Sequence, residues 1–410
     1  MNPLRIVLVG GGHAMLPLAT ACARLDADAF HVTLVSDRRH LWYSGMTPEH
    51  LGGVYTRAET RVDVQTIAQR TLSRFLPDTV VGLDTDARRI LTAGGEALPY
   101  DLAAFDTGAV NPHTDAAGPA IRTKPLHHIA ALSEFLDETA HAHGPERTLA
   151  IVGGGAAGVE VALNVTARPD LAGRLRVEIV EPGTRLLGGM PEGASQWAHA
   201  RLAARGARVH LGARAQAATP AGLALEDGRF IPAEAVLWAT GSRGAPFYAA
   251  AGLPVTEQGF VRTDRALRVQ GHPRLFVAGD AAAVAGYEHL ARIGVHAVKQ
   301  GPVLRANVLR AARALREGRA PEAPRLRRFR PYPLAPLILS TGEPTALVVE
   351  GTRWAEGALW LRMKHFADRR WIARYHPVPV QTSYRSWIDL ACAQTAAPRA
   401  ARDAAPSGPA

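Results

Sequence analysis

Cysteine is almost absent from the 410 residues: Cys22 and Cys392 are the whole supply. Two thiols so far apart make neither a CxxC redox or metal motif nor a disulfide framework. Lysine is nearly as scarce, limited to Lys124, Lys299 and Lys364. Long apolar runs are missing too. No stretch reaches the roughly 20 apolar residues needed to cross a bilayer. The run that starts at Leu4 ends at Gly10, too short for a signal-peptide core and better used as a strand. What is present is 47% hydrophobic and 20% charged, a globular balance that excludes disorder as the general state. The length suits two to three domains, and a cytoplasmic protein of enzyme size is expected.

The net charge is +10, and much of the excess is local. Residues 305–330 hold nine arginines against two glutamates. Arginine-rich genome composition accounts for such a bias, and so does attraction to an anionic membrane surface. Zinc-finger spacing and RNA-binding signatures with interleaved aromatics are absent, so no nucleic-acid partner is expected.

Two segments read as the same unit. Leu4–Val9 is an apolar strand followed by Gly10-Gly11-Gly12, a helical run and a second strand, Val32–Val35. Leu149–Val152 leads in the same way through Gly153-x-Gly155-x-x-Gly158 into a helix, then to the strand Val177–Val180. Strand, glycine turn, helix, strand is the βαβ pattern of a parallel sheet. In such a turn the glycines let the backbone approach a pyrophosphate, which rests on the helix N-terminus where unpaired N–H groups and the dipole favour anions. Glu181 stands where a carboxylate receives the ribose hydroxyls of NAD. The first turn is less regular. Met15 takes the third glycine position, Pro17 lies early in the helix, and Ser36 and Asp37 share the place of the ribose acid.

Further along, residues 38–65 look irregular and 127–140 helical. Asp227-Gly228 marks a hairpin. A helical pattern over 289–316 meets Gly301-Pro302, where a break or kink is expected. Prolines between 321 and 336 lead into a C-terminal portion with a hairpin near Gly342 and a helix near 355–374. In that helix Trp360, Met363, Ala367, Trp371 and Tyr375 recur at helical spacing; with Trp354 and Trp387 nearby, they suit a membrane interface, a homodimer contact or the core.

The strand that ends Val277-Ala278-Gly279-Asp280 resembles the second flavin signature of the two-dinucleotide-binding-domain flavoproteins, the pyridine nucleotide-disulfide oxidoreductase superfamily. Asp106-Thr107-Gly108 and Ala239-Thr240-Gly241 resemble the points where their chain leaves and re-enters the FAD domain. Within the superfamily the chain looks like a type II NADH dehydrogenase. Gly10-Gly11-Gly12-His13, Tyr43-Ser44-Gly45-Met46, Lys124-Pro125, residues 294–302, and Ser340-Thr341-Gly342 with Lys364 and Asp368 are most similar to the flavoprotein domain fused to selenophosphate synthetase. The resemblance implies an α/β fold of two Rossmann-like dinucleotide-binding domains plus a small α+β C-terminal portion. The FAD domain would span 1–112 and 243–320, the NAD(P)H domain 113–242, and the C-terminal portion 321–395, with a disordered tail over 396–410. FAD would be held by Gly10, Gly12, His13, Ser36, Asp37, Thr107, Gly108, Gly279 and Asp280. NAD(H), rather than NADP(H), would be held by Gly153, Gly155, Gly158, Glu181 and Gly241.

Lys124 and Glu160 are the charged candidates for the reaction centre, expected as an ion pair beside the flavin. His296 and Gln300 would face the acceptor or pack beneath the flavin. The clusters His127-His128 and His141-x-His143 do not converge on a ligand face, so no metal is expected. Without a thiol pair, electrons must leave the flavin directly. The expected activity is therefore NAD(P)H dehydrogenation with transfer to a quinone or another small acceptor, from the cytoplasm or from the inner membrane face. An accessory reductase of selenium metabolism and a non-catalytic sensor of flavin and NAD are the competing readings.

Overall fold

Leu4–Val9 reads LRIVLV and is buried throughout from Ile6 to Val9. Apolarity on both faces is what the central strand of a helix-covered parallel sheet needs. A computed structural model, which describes residues 2–111, 120–333 and 335–376, places it there. Its sheet is wholly parallel and runs Leu275–Val277, Leu102–Phe105, Leu4–Val9, Phe30–Val35, Arg74–Leu76. A second parallel sheet runs Ala120–Arg122, Ala235–Trp238, Arg147–Val152, Leu175–Glu181, Arg208–Leu211. Every strand of the second sheet lies in sequence between two adjacent strands of the first, 102–105 and 275–277. The chain leaves one Rossmann-like sheet, builds another and returns.

Asn111 ties the two crossings together. Its Nδ2 donates to the carbonyls of Thr240 (2.9 Å) and Gly241 (3.2 Å) on the returning chain. Its Oδ1 accepts from the backbone N–H of Lys124 at 2.6 Å and from the Thr123 hydroxyl at 3.2 Å. The side chain is 1% exposed, so these bonds have no competition from water.

The C-terminal portion is a three-stranded antiparallel sheet, Leu337–Ser340, Ala346–Glu350 and Arg353–Gly357, followed by the helix Ala358–Ile372. Leu339, Leu347 and Val349 join the apolar core of the second sheet, whereas Trp371 and Ile372 join that of the first. This portion thus bridges both cores.

Three expectations change. The helix over 289–316 starts at Gly294 and runs unbroken to Arg316 with Pro302 inside it. Gly301 is there for close approach: a Cβ would stand 2.8 Å from the Pro17 ring and 3.2 Å from the Ala14 carbonyl oxygen. Residues 38–65 hold an antiparallel ribbon, His40–Trp42 with Arg61–Asp63, and the helix Thr47–Leu51. Elements this short have no period to read; they exist because the ribbon packs between the two cores. The stripe from Trp360 to Tyr375 is not buried along its length, and Tyr375 lies past the helix end at Ile372. Trp371 is buried and stacked on Tyr43 with ring centroids 4.4 Å apart, while Leu359, Met363 and Phe366 are the exposed apolar side chains. Trp387, Cys392 and the tail 396–410 lie outside the described residues.

Asn111→Ala removes both halves of the tie and leaves buried carbonyls and an N–H unpaired. We expect about 2–3 kcal/mol of lost stability in a denaturant titration, with Asn111→Asp close behind because it keeps the acceptor and loses the donor.

Candidate functional site

The first glycine turn closes over Asp106. Gly10 has φ +85°, in the left-handed region, and a Cβ there or on Gly12 or Gly279 would collide with the backbone or carboxylate of Asp106. Asp106 Oδ2 accepts from the N–H groups of Ala14 (2.7 Å) and Met15 (2.9 Å), the start of the helix Leu16–Cys22. Burial lifts this carboxyl to about 6 against those two bonds. A diphosphate on the same helix end would favour its protonated form, which avoids two anions on one dipole. Asp106 is not among the residues the glycine fingerprint points to.

His13 follows the turn, with its ring beside the stacked pair of Tyr43 (5.4 Å) and Trp371 (5.2 Å); burial lowers its pKa to about 4. At the end of the next strand the Ser36 hydroxyl turns back to donate to the Arg38 carbonyl at 3.0 Å. Asp37 is exposed and stands 3.6 Å from Arg38 Nε. Thr107 shares a 2.8 Å hydrogen bond with Tyr248, and Gly108, at φ +71°, faces open space.

The second turn is regular. Gly153 has φ +112°, and a Cβ on Gly158 would strike the Gly153 carbonyl, so helix and strand touch there. Gly155 caps the helix Ala156–Thr166 without any side-chain bond and faces open space. Glu181 lies across the turn, accepting from the N–H of Gly154 (2.7 Å) and of Gly183 (2.8 Å). Gly241 is open, and beside it Thr240 Oγ1 is buried with no hydrogen-bond partner among the described residues.

Lys124 and Asp280 meet where the two sheets abut. Lys124 Nζ is 2.6 Å from Asp280 Oδ2 and donates to the Arg292 carbonyl at 3.0 Å. Asp280 borders a narrow cavity that Gly279, Arg292, His296 and Gln300 also line. Gln300 Oε1 accepts from the Gly279 N–H at 2.7 Å and so holds the Asp280 turn. His296 is 8% exposed and its Nδ1 has no partner among the described residues.

The expected Lys124–Glu160 pair does not form, because Asp280 takes the lysine. Glu160 instead accepts from the backbone N–H (2.8 Å) and hydroxyl (2.9 Å) of Ser340, on the C-terminal sheet. Burial raises its carboxyl to about 7, and the nearby charge of Lys364 opposes the rise. Lys364 is itself buried between Glu49 (2.7 Å), Asp368 (2.9 Å) and the Gly45 carbonyl. Glu49 also meets His365 at 2.5 Å; burial would raise its pKa, but the charge of Lys364 and the His365 bond bring it down to about 2. Asp368 accepts from the Tyr43 hydroxyl at 2.8 Å. Glu49 and Asn164, which donates to Ser340 Oγ at 2.9 Å, gave no sequence signal, since their partners are more than 150 residues away.

These residues fit the two dinucleotides. Each glycine turn has the left-handed φ and close approach that a bound diphosphate needs. Gly155, Gly108 and Gly241 leave space, and Thr240 Oγ1 and His296 Nδ1 are polar atoms waiting for partners.

Known proteins share this arrangement. Residues 4–301 match the family described as pyridine nucleotide-disulphide oxidoreductase. The chain is 28% identical over 291 residues to a demethylphylloquinone reductase of Synechocystis, covering 68% of this chain and 72% of that protein. It is 24% identical over 333 residues to a type II NADH:quinone oxidoreductase of Mycobacterium tuberculosis, covering 72% and 70%. It superposes on reduced CoADR-RHD of Bacillus anthracis with a TM-score of 0.68 at 18% identity, covering 88% of this chain and 64% of that one, a likeness of fold alone. With two glycine-turn sheets, an aspartate at the end of a returning strand and a matching family model, the chain belongs to the pyridine nucleotide-disulphide oxidoreductases, enzymes that work with FAD and NAD(H).

Proposed function

We propose that the protein oxidises NADH and passes the electrons to a quinone. The observation that carries this reading is Glu160, a carboxyl brought to about 7 behind the second glycine turn, in a site built without a thiol. Reduction of a quinone consumes protons as well as electrons, and a group that titrates near neutrality can hold and release one. Cys22 is no rival: it is buried in the first helix and its thiol is pushed up to about 12, the reverse of a reactive thiolate.

FAD, when bound, takes hydride from the nicotinamide and returns electrons to the acceptor. This chain's residues hold and orient the partners. Gly10, Gly12, His13, Ser36, Asp37, Thr107, Gly108, Gly279 and Asp280 form the FAD cradle; Gly153, Gly155, Gly158, Glu181 and Gly241 form that of NADH. Lys124 fixes the Asp280 turn against the second sheet and brings a positive charge to the seam. His296 lies in the first turn of the helix Gly294–Arg316, whose N-terminal dipole favours negative charge nearby. Lys364 keeps Glu160 from rising further. No helix among the described residues is long and apolar enough to cross a membrane. The exposed Leu359, Met363 and Phe366 beside Arg362 suit peripheral contact with a quinone-bearing bilayer. The likeness to the domain fused to selenophosphate synthetase rests on motifs alone.

NADH is preferred because Glu181 would repel a 2′-phosphate, while Arg185, the nearest candidate to receive one, is spent on the carbonyls of Gly188 (2.7 Å) and Met190 (2.9 Å). Flavin reduction by NADPH should be slower than by NADH, and Glu181→Ser should narrow the gap by about tenfold or more. Equal rates in the unaltered enzyme would mean that Glu181 does not read the ribose.

For Glu160 the folded carboxyl binds its proton more tightly than the unfolded one, whose ordinary value is 4.5. Its contribution to stability is therefore full below that value and lost as the pH rises through about 7. Glu160→Gln should gain stability relative to the unaltered protein between about pH 5 and about pH 8. Difference infrared spectra should show a carboxyl midpoint near 7 that Lys364→Met moves higher.

Stopped-flow mixing tests the activity itself. NADH should bleach the flavin and added menadione should restore it over repeated cycles. Glu160→Gln should leave the bleaching intact and slow the restoration about tenfold or more. A protein that bleaches once and stays reduced with every quinone offered is not a quinone reductase.

A further inference from the structure

One concentration of charge begins at Arg38, beside Ser36 and Asp37, and extends away from the Gly10 turn. In the ribbon of His40–Trp42 and Arg61–Asp63, cross-strand partners share a face, so His40, Trp42, Arg61 and Asp63 lie on one side and Leu41 and Val62 on the other. Leu41 and Val62 pack on the core of the first sheet, while Trp42 belongs to the core of the second. The Trp42 face therefore looks away from the Gly10 turn. With the start of the helix Ile129–His141 it bounds an open cleft of about 420 Å³, lined by Arg38, Arg39, His40, Arg61, His127 and His128. That size falls within the range of small-molecule sites.

The acids around this cleft are already engaged. Asp63 holds Arg39 at 2.8 Å, Glu134 holds Arg57 at 3.2 Å, and Asp37 lies 3.6 Å from Arg38. Arg61 makes no salt bridge among the described residues: its Nε donates to the Arg57 carbonyl at 3.1 Å and its guanidinium sits 5.5 Å from the Trp42 ring centroid. Its pKa is lowered by burial and then by Arg57 and Arg39. The imidazoles feel the same crowding. Burial, then His128 and Arg38, bring His127 down to about 4; burial, Arg122 and Arg38 lower His128; burial and Arg61 lower His40. Arg38 approaches His127 Nε2 at 3.2 Å, and since a guanidinium always donates, that nitrogen carries a lone pair and the ring is neutral. Guanidinium groups and neutral imidazoles are thus packed together, and Arg61 is the guanidinium among them without a salt bridge among the described residues.

We propose that this cleft binds a phosphorylated small molecule of up to mononucleotide size, at a site separate from both dinucleotide turns. A phosphate offers several oxygens in a tetrahedral spread, which suits guanidinium forks and imidazoles converging from the ribbon and from the helix start. The positive end of the helix dipole adds to the attraction. Trp42 supplies an apolar wall for the rest of the ligand. The guanidinium groups stay charged at any working pH, so the affinity falls as salt is raised.

The test is calorimetric titration of the FAD-loaded full chain with pyrophosphate and, separately, with ADP at low salt. One saturable site is expected, weakening as the salt concentration is raised. Arg61→Gln should weaken it about tenfold. Ala131→Glu, on the exposed lip of the cleft, should do the same without touching the basic cluster, which covers the case in which Arg61→Gln fails to fold. Flavin content and reduction by NADH should be unchanged in both variants. The proposal is overturned if neither compound binds, if binding expels FAD, or if Ala131→Glu leaves the affinity as it was. It is equally overturned if an acidic peptide binds there and pyrophosphate does not, which would assign the cleft to a protein partner.

Discussion

Lys124 and Asp280 stand at the ends of strands from different sheets, and their contact at 2.6 Å fixes how those sheets face one another at the site. Each side chain is about a quarter exposed, at 26% and 21%, so the pair is neither fully screened nor fully desolvated. On its own a pair of that kind contributes little to stability. Its importance is positional. Lys124 also donates to the Arg292 carbonyl, Asn111 holds the Lys124 N–H from behind, and Gln300 holds Gly279 beside Asp280. Removing the lysine would remove the side-chain link among these segments and leave the Asn111 and Gln300 bonds to hold them.

The second constraint is the buried charge of Lys364. An ammonium with 7% exposure survives only among partners, and it has Glu49, Asp368 and the Gly45 carbonyl. Those partners belong to the short helix after the ribbon, the last helix and the segment beside Tyr43. The C-terminal portion is therefore locked to the first sheet by charge and to the second by Leu339, Leu347 and Val349. The same ammonium limits the rise of Glu160, so one buried cation serves both the architecture and the proton chemistry proposed for the site. Its cost and its use are inseparable here: a neutral residue at 364 would leave Glu49 with His365 alone and Asp368 with the Tyr43 hydroxyl alone.

The two glycine turns, the parallel strands that feed them and the returning strand before Asp280 were legible in the residues, because each is a local pattern with a local cause. A strand buried on both faces must be apolar, a turn against a diphosphate must be glycine, and both facts are written within a dozen residues. The hairpin at Asp227-Gly228 and the C-terminal sheet followed from turn chemistry in the same way. The unbroken helix through Pro302 did not, since proline predicts a lost hydrogen bond but not the packing of Gly301 on Ala14 and Pro17 beside it.

Residue types in sequence determined that this chain folds as two dinucleotide-binding sheets and that Cys22 and Cys392 are too far apart to form a CxxC pair. Tertiary structure alone decided who pairs with whom. Lys124 chose Asp280 over Glu160, Asp106 came to cap the first helix, and Glu49 joined Lys364 and His365 from more than 300 residues away. Charge partners are set by where strand ends and helix faces arrive after folding, and no spacing along the chain encodes that distance.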